Sequence, residues 1–423
     1  MIKILDYNAL GEQIFAREEQ AFDVSNTVSE IIQNVKENKD KALFHYCAKF
    51  DKANLDSLIV SQEEFDQAFN EVSNEFVEIL KKASQNIREF HSKQVRQGFR
   101  IEKQDGVIVG QKITPIERVG LYVPGGTASY PSTVLMDSIP AKIAGCKSIC
   151  ITTPPNAQGK ISPEILVASK IAGVDVVYKV GGAQAIAALA YGTESVQKVD
   201  KIVGPGNAFV AEAKRQVFGK VSIDMIAGPS EILIIADQLS NPKHVASDLL
   251  SQAEHDKMAS AVLVTNSYQL AKEVQFEIEN QLKNLKREQI ARASIEANGK
   301  IIVAKDLEQV IKVSNTIAPE HLELLVDNPF DYLDKITNAG SIFMGRYCPE
   351  ALGDYYAGPN HTLPTSGTAR FSSPLSVDDF IKKTQFTYYT EKALKKVYKD
   401  VEYFANKEGL EAHAKSATVR FED

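Results

Sequence analysis

The segment from Asp248 to Asp256 carries two side chains that can bind a metal ion, Gln252 and His255. The segment has no glycine or proline, and its apolar residues recur at helical spacing, so the pattern predicts a helix. Residues three apart lie on the same face of a helix, about one turn apart. An amide oxygen and an imidazole nitrogen held in this way supply half of a divalent-metal site. Solvated side chains without a metal are the alternative interpretation of this pair.

The remaining ligands have to come from distant parts of the chain. Asp354 lies in a stretch, 353–365, that is dense in glycine, proline and polar residues, and it is a candidate oxygen ligand. In the same stretch His361 is a candidate substrate contact. Near the C-terminus, His413 is a candidate fourth ligand, and Glu408 could bind a cationic group. Amide and carboxylate oxygens together with imidazole nitrogens suit zinc or a similar first-row divalent ion. A surface turn and a solvent-facing histidine are the alternatives here.

Glu320 and His321 are adjacent, and the preceding Pro319 favours the start of a helix. Adjacent residues do not share a helix face, so the two side chains would address different atoms of one ligand. A histidine titrates near neutrality and can take a proton from an alcohol, and a glutamate can activate water. In the alternative interpretation Glu320 only stabilises the first helical turn through the helix dipole, and His321 is exposed.

Composition limits the class of protein. The chain has 423 residues, 44% of them hydrophobic and 24% charged, which is typical of a globular protein with two or three domains. A net charge of −7 argues against nucleic acid or an anionic membrane as the main partner. The four cysteines are too scattered for a disulfide framework, and no signal peptide or membrane span is predicted. We therefore expect a cytoplasmic protein.

The predicted architecture has helices first and then alternating strands and helices. Residues 1–118 form a predicted helical part that packs on the second α/β block, with a capping box at Ser61 and Glu64 and a long amphipathic helix from Phe65 to Leu80. Short β-branched strands then alternate with helices, which indicates parallel sheets covered on both faces. The strands are predicted at 107–109, 119–123, 148–152, 174–180, 199–203, 232–236, 261–264, 301–303 and 341–344.

These elements predict an α/β fold with two doubly wound, incomplete Rossmann-like parallel-sheet domains. The first α/β domain spans 119–237 and the second spans 238–375, where most of the candidate metal and catalytic residues lie. A helical, charged C-terminal segment, 376–423, follows and is predicted to pack on a partner subunit.

Glycine turns follow three predicted strands of the first domain, and each precedes a helix. Glycine lets a backbone approach a ligand closely, and a helix N-terminus offers free N–H groups to a phosphate. None of the turns has the G-x-G-x-x-G spacing of the dinucleotide fingerprint, so connections without a ligand are an equal alternative. The turns are Pro124-Gly125-Gly126, Gly181-Gly182-Ala183-Gln184 and Gly204-Pro205-Gly206-Asn207.

Taken together, these residues resemble the histidinol dehydrogenase family over nearly the whole chain. No departure occurs at a position that the family uses. The segments that carry the resemblance are Val119 to Gly126, Val180 to Gly192, Ile202 to Val217, Ile226 to Ile232, Asp248 to Asp256, Ala318 to Leu324, Gly353 to Thr365 and Glu408 to His413.

The resemblance implies a two-step oxidation of L-histidinol to L-histidine through the aldehyde, with two NAD per turnover. It implies one zinc ion per subunit bound by Gln252, His255, Asp354 and His413, and an acid–base pair formed by Glu320 and His321. It also implies homodimers whose C-terminal segments are exchanged, so that Glu408 and His413 complete the site of the neighbouring subunit. The implied cofactor contacts are Tyr122, Gln184 and Asn207. The implied substrate contacts are Ser230, Gln252, His255, His321, Asp354, His361, Glu408 and His413.

Three other functions compete with this interpretation. A zinc hydrolase would use the same ligands and Glu320, but it leaves the glycine turns unexplained. A non-catalytic binding protein leaves Glu320 and His321 without a role. A related dehydrogenase that acts on another amino alcohol shares every feature, and only the substrate distinguishes it.

Overall fold

A computed structural model describes residues 1–10, 23–125 and 129–422, so Gly126 of the first glycine turn lies outside the described residues. The chain divides into a large unit, Met1–Gln94 with Ile116–Phe380, and a small unit, Val95–Pro115 with Ile381–Asp423. None of the described helices combines the length and the apolar composition that crossing a bilayer requires.

The described residues before 116 are mainly helical, as predicted. The capping box is present: Ser61 accepts a hydrogen bond from the backbone N–H of Glu64, whose carboxylate accepts one from the N–H of Ser61. The predicted long helix from Phe65 to Leu80 is instead two helices, because Val72 is extended and Ser73 caps a new helix. The elements are β1 (Lys3–Asp6), α1 (Tyr7–Leu10), α2 (Ser25–Tyr46), α3 (Gln62–Glu71), α4 (Asn74–Ser92), β2 (Phe99–Lys103) and β3 (Val107–Pro115).

The first α/β block forms a five-stranded sheet in which every strand pair is parallel. Its elements are β4 (Arg118–Tyr122), α5 (Pro131–Ala144), β5 (Ser148–Thr152), α6 (Pro163–Ala172), β6 (Val176–Tyr178), α7 (Gly182–Tyr191), β7 (Lys201–Val203), α8 (Ala208–Val217) and β8 (Ser222–Ile223). The strand order is β6-β5-β4-β7-β8.

The second block forms a six-stranded parallel sheet with the order β1-β11-β10-β9-β12-β13. Every residue of its strand β9 is buried, as expected for a parallel strand covered on both faces. The elements are β9 (Glu231–Ala236), α9 (Pro242–Ala253), β10 (Ser260–Thr265), α10 (Tyr268–Leu282), α11 (Glu288–Ala297), β11 (Lys300–Val303), α12 (Leu307–Ile317), β12 (His321–Leu325), α13 (Phe330–Leu333), β13 (Ser341–Met344) and α14 (Glu350–Tyr355).

The small unit consists of an antiparallel sheet with the order β14-β3-β2 and two helices that follow it. The elements that complete it are β14 (Ile381–Tyr389), α15 (Glu391–Lys407) and α16 (Glu411–Thr418). The prediction of a purely helical C-terminal segment is therefore wrong for β14. Its alternation of Thr384, Phe386 and Tyr388 with polar residues suits a strand, and it pairs with β3 along nine residues.

The prediction that the N-terminal helices pack on the second block is also wrong, because they cover the first block. Val28 and Val35 of α2 share a core with Ile186 of α7, and Leu80 of α4 shares one with Leu135 of α5. Strand β1, by contrast, joins the second block as an edge strand of its sheet. An amphipathic face predicts burial, but it does not identify the surface that buries it.

Arg346 closes the carboxyl edge of the second sheet. Its guanidinium binds both carboxylate oxygens of Asp237 at 2.9 and 3.0 Å, and it donates to the backbone oxygen of Leu325 at 2.6 Å. It also donates to the Ser240 hydroxyl at 2.6 Å. These partners lie at or just beyond the carboxyl ends of β9 and β12. The Arg346 side chain therefore satisfies several polar groups at this end of the sheet.

We predict that Arg346→Lys lowers the free energy of unfolding by about 2–3 kcal/mol, because a lysine cannot replace the planar set of hydrogen bonds. Denaturant unfolding measures the change. The matched control is Arg215→Lys, which alters the pair of the exposed Arg215 with Glu212 and should change the free energy of unfolding much less. Equal losses in the two variants would contradict the role of Arg346.

Candidate active site

Gln252 and His255 lie at the C-terminal end of α9, which packs Val245 and Leu249 into the core of the second block. The helix ends at Ala253, so the prediction that both residues share its face is wrong for His255. A turn keeps the two close, because the backbone N–H of His255 donates to the backbone oxygen of Gln252 at 3.2 Å. Gln252 is buried, whereas His255, over its whole surface, is exposed.

Glu320 and His321 stand at the amino end of β12 and not at a helix start, because residues 321–325 pair with β9. The backbone of Glu231, the first residue of β9, holds both side chains. Its N–H donates to Oε2 of Glu320 at 2.8 Å, and its oxygen lies 3.0 Å from Nδ1 of His321. Since a backbone oxygen only accepts, Nδ1 carries a proton, and in the neutral ring Nε2 keeps a free lone pair.

Asp354 lies on the short helix α14 and not in a loop, and the same helix presents Glu350. Nε2 of His321 is 3.6 Å from Oδ1 of Asp354 and 3.9 Å from Oε1 of Glu350. Gly353 makes this approach possible, because a Cβ at that position would collide with the ring of Phe343, which stacks on His321. The free side of the His321 ring therefore faces two carboxylates.

These carboxylates and the imidazole change one another's pKa values. Burial lowers the pKa of His321, but Glu350, Glu320 and Asp354 outweigh it, and the net effect raises the pKa well above its usual value. Burial raises the pKa of Glu320 to about 7 and that of Glu350 to about 8. Burial alone would raise the pKa of Asp354, but the contact with His321 lowers it. The arrangement favours a positive charge among the carboxylates.

This group fits a divalent cation. Donor atoms of His321, Glu350 and Asp354 all lie within 4.8 Å of one another. Loss of solvent around the ring lowers the pKa of His255, and the charge of Asp354 acts against it, so His255 also belongs to this electrostatic cluster. Nε2 of His321 has no hydrogen-bond partner in the described part of the chain. Buried carboxylates of this kind are partners that a cation with oxygen and nitrogen ligands would satisfy.

The Gln252 amide contacts the Glu350 carboxylate. In the orientation that satisfies both ends, its nitrogen donates to Glu350 Oε1 and, at 3.1 Å, to Oε2, and its oxygen accepts from the N–H of Glu231 at 3.2 Å. In the opposite orientation the amide oxygen faces the carboxylate, an arrangement that a cation between them would stabilise. Either way Gln252 belongs to the cluster.

His361 is joined to the same cluster through backbone. Its Nδ1 lies 3.1 Å from the backbone oxygen of Asp354, and its Nε2 lies 3.2 Å from Oγ1 of Thr133 on α5. Burial lowers the pKa of His361, which favours the neutral ring. Ser230, another predicted substrate contact, precedes β9 and is partly buried.

Two of the predicted site residues belong to the small unit. Glu408 directly follows α15, His413 lies on α16, and both are exposed. Of the four predicted metal ligands, Gln252, His255 and Asp354 belong to the large unit.

The predicted cofactor residues lie at the carboxyl ends of strands in the first sheet. Tyr122 ends β4, and its buried hydroxyl accepts from the N–H of Gly182 at 3.1 Å. Gln184 is buried in the first turn of α7. Asn207 is exposed, and its side chain caps α8. Packing within the chain already requires some of the glycines, since a Cβ on Gly181 would collide with Pro154.

The sequence interpretation missed Glu350 and Glu323. Glu323 is fully buried on β12, and its Oε1 accepts from the N–H of Glu350 at 2.7 Å. Its carboxyl also contacts that of Asp248 on α9, and burial raises the pKa of Glu323 to about 9. Pro349 before Glu350 resembles an ordinary helix start, so nothing local distinguishes these acids from surface residues.

Comparison with known proteins identifies the family. Residues 15–421 match the family model described as histidinol dehydrogenase. The histidinol dehydrogenase of Clostridium acetobutylicum is 54% identical over 427 residues, covering 100% of this chain and 99% of its own. That of Bacillus cereus is 57% identical over 400 residues, covering 95% and 93% of the two chains.

A solved structure agrees with both comparisons. The crystal structure of histidinol dehydrogenase from Elizabethkingia anophelis superimposes with a TM-score of 0.94 at 43% identity, covering 99% of this chain and 97% of the other. The predicted α/β fold with parallel sheets is thus confirmed. The chain belongs to the histidinol dehydrogenase family.

Proposed function

We propose that this chain oxidises L-histidinol to L-histidine in two steps through histidinal, with two NAD reduced per turnover. Family membership supports the reaction. The structural observation that carries the proposal is the pair of Glu320 and His321, which are buried side by side and are both held by the backbone of Glu231. Such a pair can remove one proton from an alcohol and another from water.

Zinc would be held by Gln252, His255, Asp354 and, from the small unit, His413, with one ion per subunit. Two observations support this ligand set: Gln252 contacts Glu350, which belongs to the same cluster as Asp354, and the charge of Asp354 acts on His255. When bound, zinc would supply a fixed positive charge and NAD a hydride acceptor.

His321 is the base for the first oxidation. Its Nδ1–H is engaged by Glu231, so the lone pair of Nε2 is directed away from β9 and toward α14. The hydroxyl proton of histidinol would pass to Nε2 of His321 as a hydride passes from the carbinol carbon to NAD. The bond to Glu231 fixes the tautomer and the orientation of the ring throughout.

Glu320 is the base for the second oxidation. One of its carboxylate oxygens is anchored by the N–H of Glu231, and a pKa of about 7 makes the group basic enough to take a proton from water near neutral pH. The resulting hydroxide would add to the aldehyde carbon, and the hydrated aldehyde would give the second hydride to NAD. Only this step consumes water.

The substrate would be oriented by polar groups around this pair. Several polar groups around one small molecule would limit its motion before each hydride transfer. The proposed contacts are Ser230, Gln252, His255, His321, Asp354, His361, Glu408 and His413.

The cofactor would lie at the carboxyl ends of the first sheet, where Tyr122, Gln184 and Asn207 follow three of its strands. Ligands of open parallel sheets commonly bind at this edge. Because Tyr122 and Gln184 are buried, Asn207 is the contact that a nucleotide would meet directly.

We further propose a homodimer with exchanged C-terminal segments, in which Glu408 and His413 of one subunit serve the site of the other. Their exposure in the small unit supports this proposal. The net charge of −7 disfavours a nucleic-acid or membrane partner. We propose a cytoplasmic location.

The reaction is tested by counting the NADH formed per histidinol consumed, and we expect two. A count of one would indicate that the protein stops at the aldehyde. No NADH, together with cleavage of an ester or amide by zinc-loaded protein, would support the hydrolase alternative. NADH from another amino alcohol but none from histidinol would identify a related dehydrogenase.

We predict that Glu320→Gln slows oxidation of histidinal by about 100-fold or more and oxidation of histidinol much less, because only the aldehyde step needs water activated. Stopped-flow measurements with each compound as substrate separate the two steps. Equal slowing of both steps would show that Glu320 does not act on water.

We predict that His255→Ala loses most of its bound zinc, because one of two imidazole ligands is removed. Metal analysis of the purified protein measures this loss. His244→Ala is the matched control, since His244 is an exposed histidine at the other end of α9. Full zinc content in His255→Ala would exclude the residue as a ligand.

The exchange of segments predicts complementation between two inactive variants, His255→Ala and His413→Ala. In a mixed dimer one site would carry both changes and the other neither, so refolding an equal mixture should restore roughly a quarter of wild-type activity. If each chain completed its own site, every site in the mixture would stay defective and no activity would return.

A further inference from the structure

Three consecutive residues after α14 are held on one face of α5. Nδ2 of Asn360 donates to the backbone oxygen of Met136 at 2.6 Å, and Oγ1 of Thr362 donates to Oδ1 of Asp137 at 2.8 Å. Asn360, Thr362 and Asp137 are all buried, so these bonds are protected from water.

The residue between them is His361. Because a backbone oxygen only accepts, the contact with Asp354 places the His361 proton on Nδ1, and Nε2 then accepts from the hydroxyl of Thr133. Thr133 lies one helical turn before Asp137 on α5. The His361 ring, which is proposed to contact substrate, is therefore oriented by the same helix, α5, that forms hydrogen bonds with Asn360 and Thr362.

A second buried group lies at the third glycine turn, on the proposed cofactor side. The ammonium of Lys214 on α8 pairs with Asp224 and donates to the backbone oxygen of Gly204 at 2.9 Å. Asp224 in turn accepts from the N–H of Gly204 at 2.8 Å. The pair thus fixes both polar groups of the residue that opens the third glycine turn.

Asp137, which accepts the hydrogen bond of Thr362, is fully buried. Burial raises its pKa to about 8, and the charges of Asp224 and Lys214 also act on it. Its second oxygen has no hydrogen-bond partner in the described residues. A fully buried carboxyl on α5 therefore touches the substrate segment on one side and lies within electrostatic reach of the clamped glycine turn on the other.

We propose that Asp137 and Thr362 are positioning residues that fix His361, and with it the substrate, against α5. The inference rests on the proposed function, since His361 is a proposed substrate contact. Loss of the Thr362–Asp137 bond frees the segment 360–362 to shift, and small displacements of reacting groups are costly for hydride transfer.

The test compares Thr362→Val, which keeps the shape but loses the hydroxyl, with Thr362→Ser, which keeps the hydroxyl. Both are assayed with histidinol and with histidinol deuterated at the carbinol carbon. We expect Thr362→Val to lower kcat about tenfold and to increase the deuterium isotope effect on kcat, because hydride transfer becomes slower than product release. Thr362→Ser should recover most of both values.

Two further variants separate positioning from stability. Ser169→Ala removes a buried hydroxyl of α6 that bonds within its own helix, so it should lower Tm without changing the isotope effect. Asp137→Ala should reproduce Thr362→Val if it folds. Zinc content per subunit should stay unchanged in all of these variants.

Wild-type kcat and isotope effect in a folded, zinc-loaded Thr362→Val would overturn the inference. An increase in the isotope effect for Ser169→Ala that matches the increase for Thr362→Val would also overturn it. If wild-type protein forms no NADH from histidinol, the proposed function fails first, and the inference falls with it.

Discussion

The candidate site depends on the burial of Glu320, Glu350 and Asp354 around one imidazole, that of His321. Removing carboxylates from water is costly unless an opposite charge accompanies them. In the metal-free chain, protonation of His321 and of part of the carboxylates supplies that compensation, which is why the pKa values of His321 and Glu350 rise. A divalent cation would replace those protons and leave the imidazole free to act as a base.

The fold places this charged group at an unusual edge. In the first sheet the proposed cofactor residues lie at the carboxyl ends of strands, the common ligand site of open parallel sheets. In the second sheet Arg346 occupies that edge, and the proposed catalytic residues lie at the amino ends of β9 and β12 instead. Pairing of these two strands brings the Glu231 backbone beside Glu320 and His321, so ordinary sheet hydrogen bonding orients the proposed catalytic pair.

Much of the fold was predictable because β-branched runs and helix caps are local signals. The strand at Ser148–Thr152 and the capping box of Ser61 are examples. What failed depended on partners distant in sequence. Pro319 favoured a helix at Glu320, but pairing with β9 makes a strand, and the amphipathic face of α2 did not reveal that it packs on α7. Glu350 looked like a solvated residue because its burial arises only from tertiary packing.

The most direct test is the number of protons released when zinc binds to the metal-free protein at neutral pH. Calorimetric titrations in buffers with different ionisation enthalpies measure that number. Since the cluster raises the pKa of His321 well above its usual value and that of Glu350 to about 8, both groups start largely protonated. The account predicts release of at least one proton per zinc, and zinc binding without proton release would contradict it.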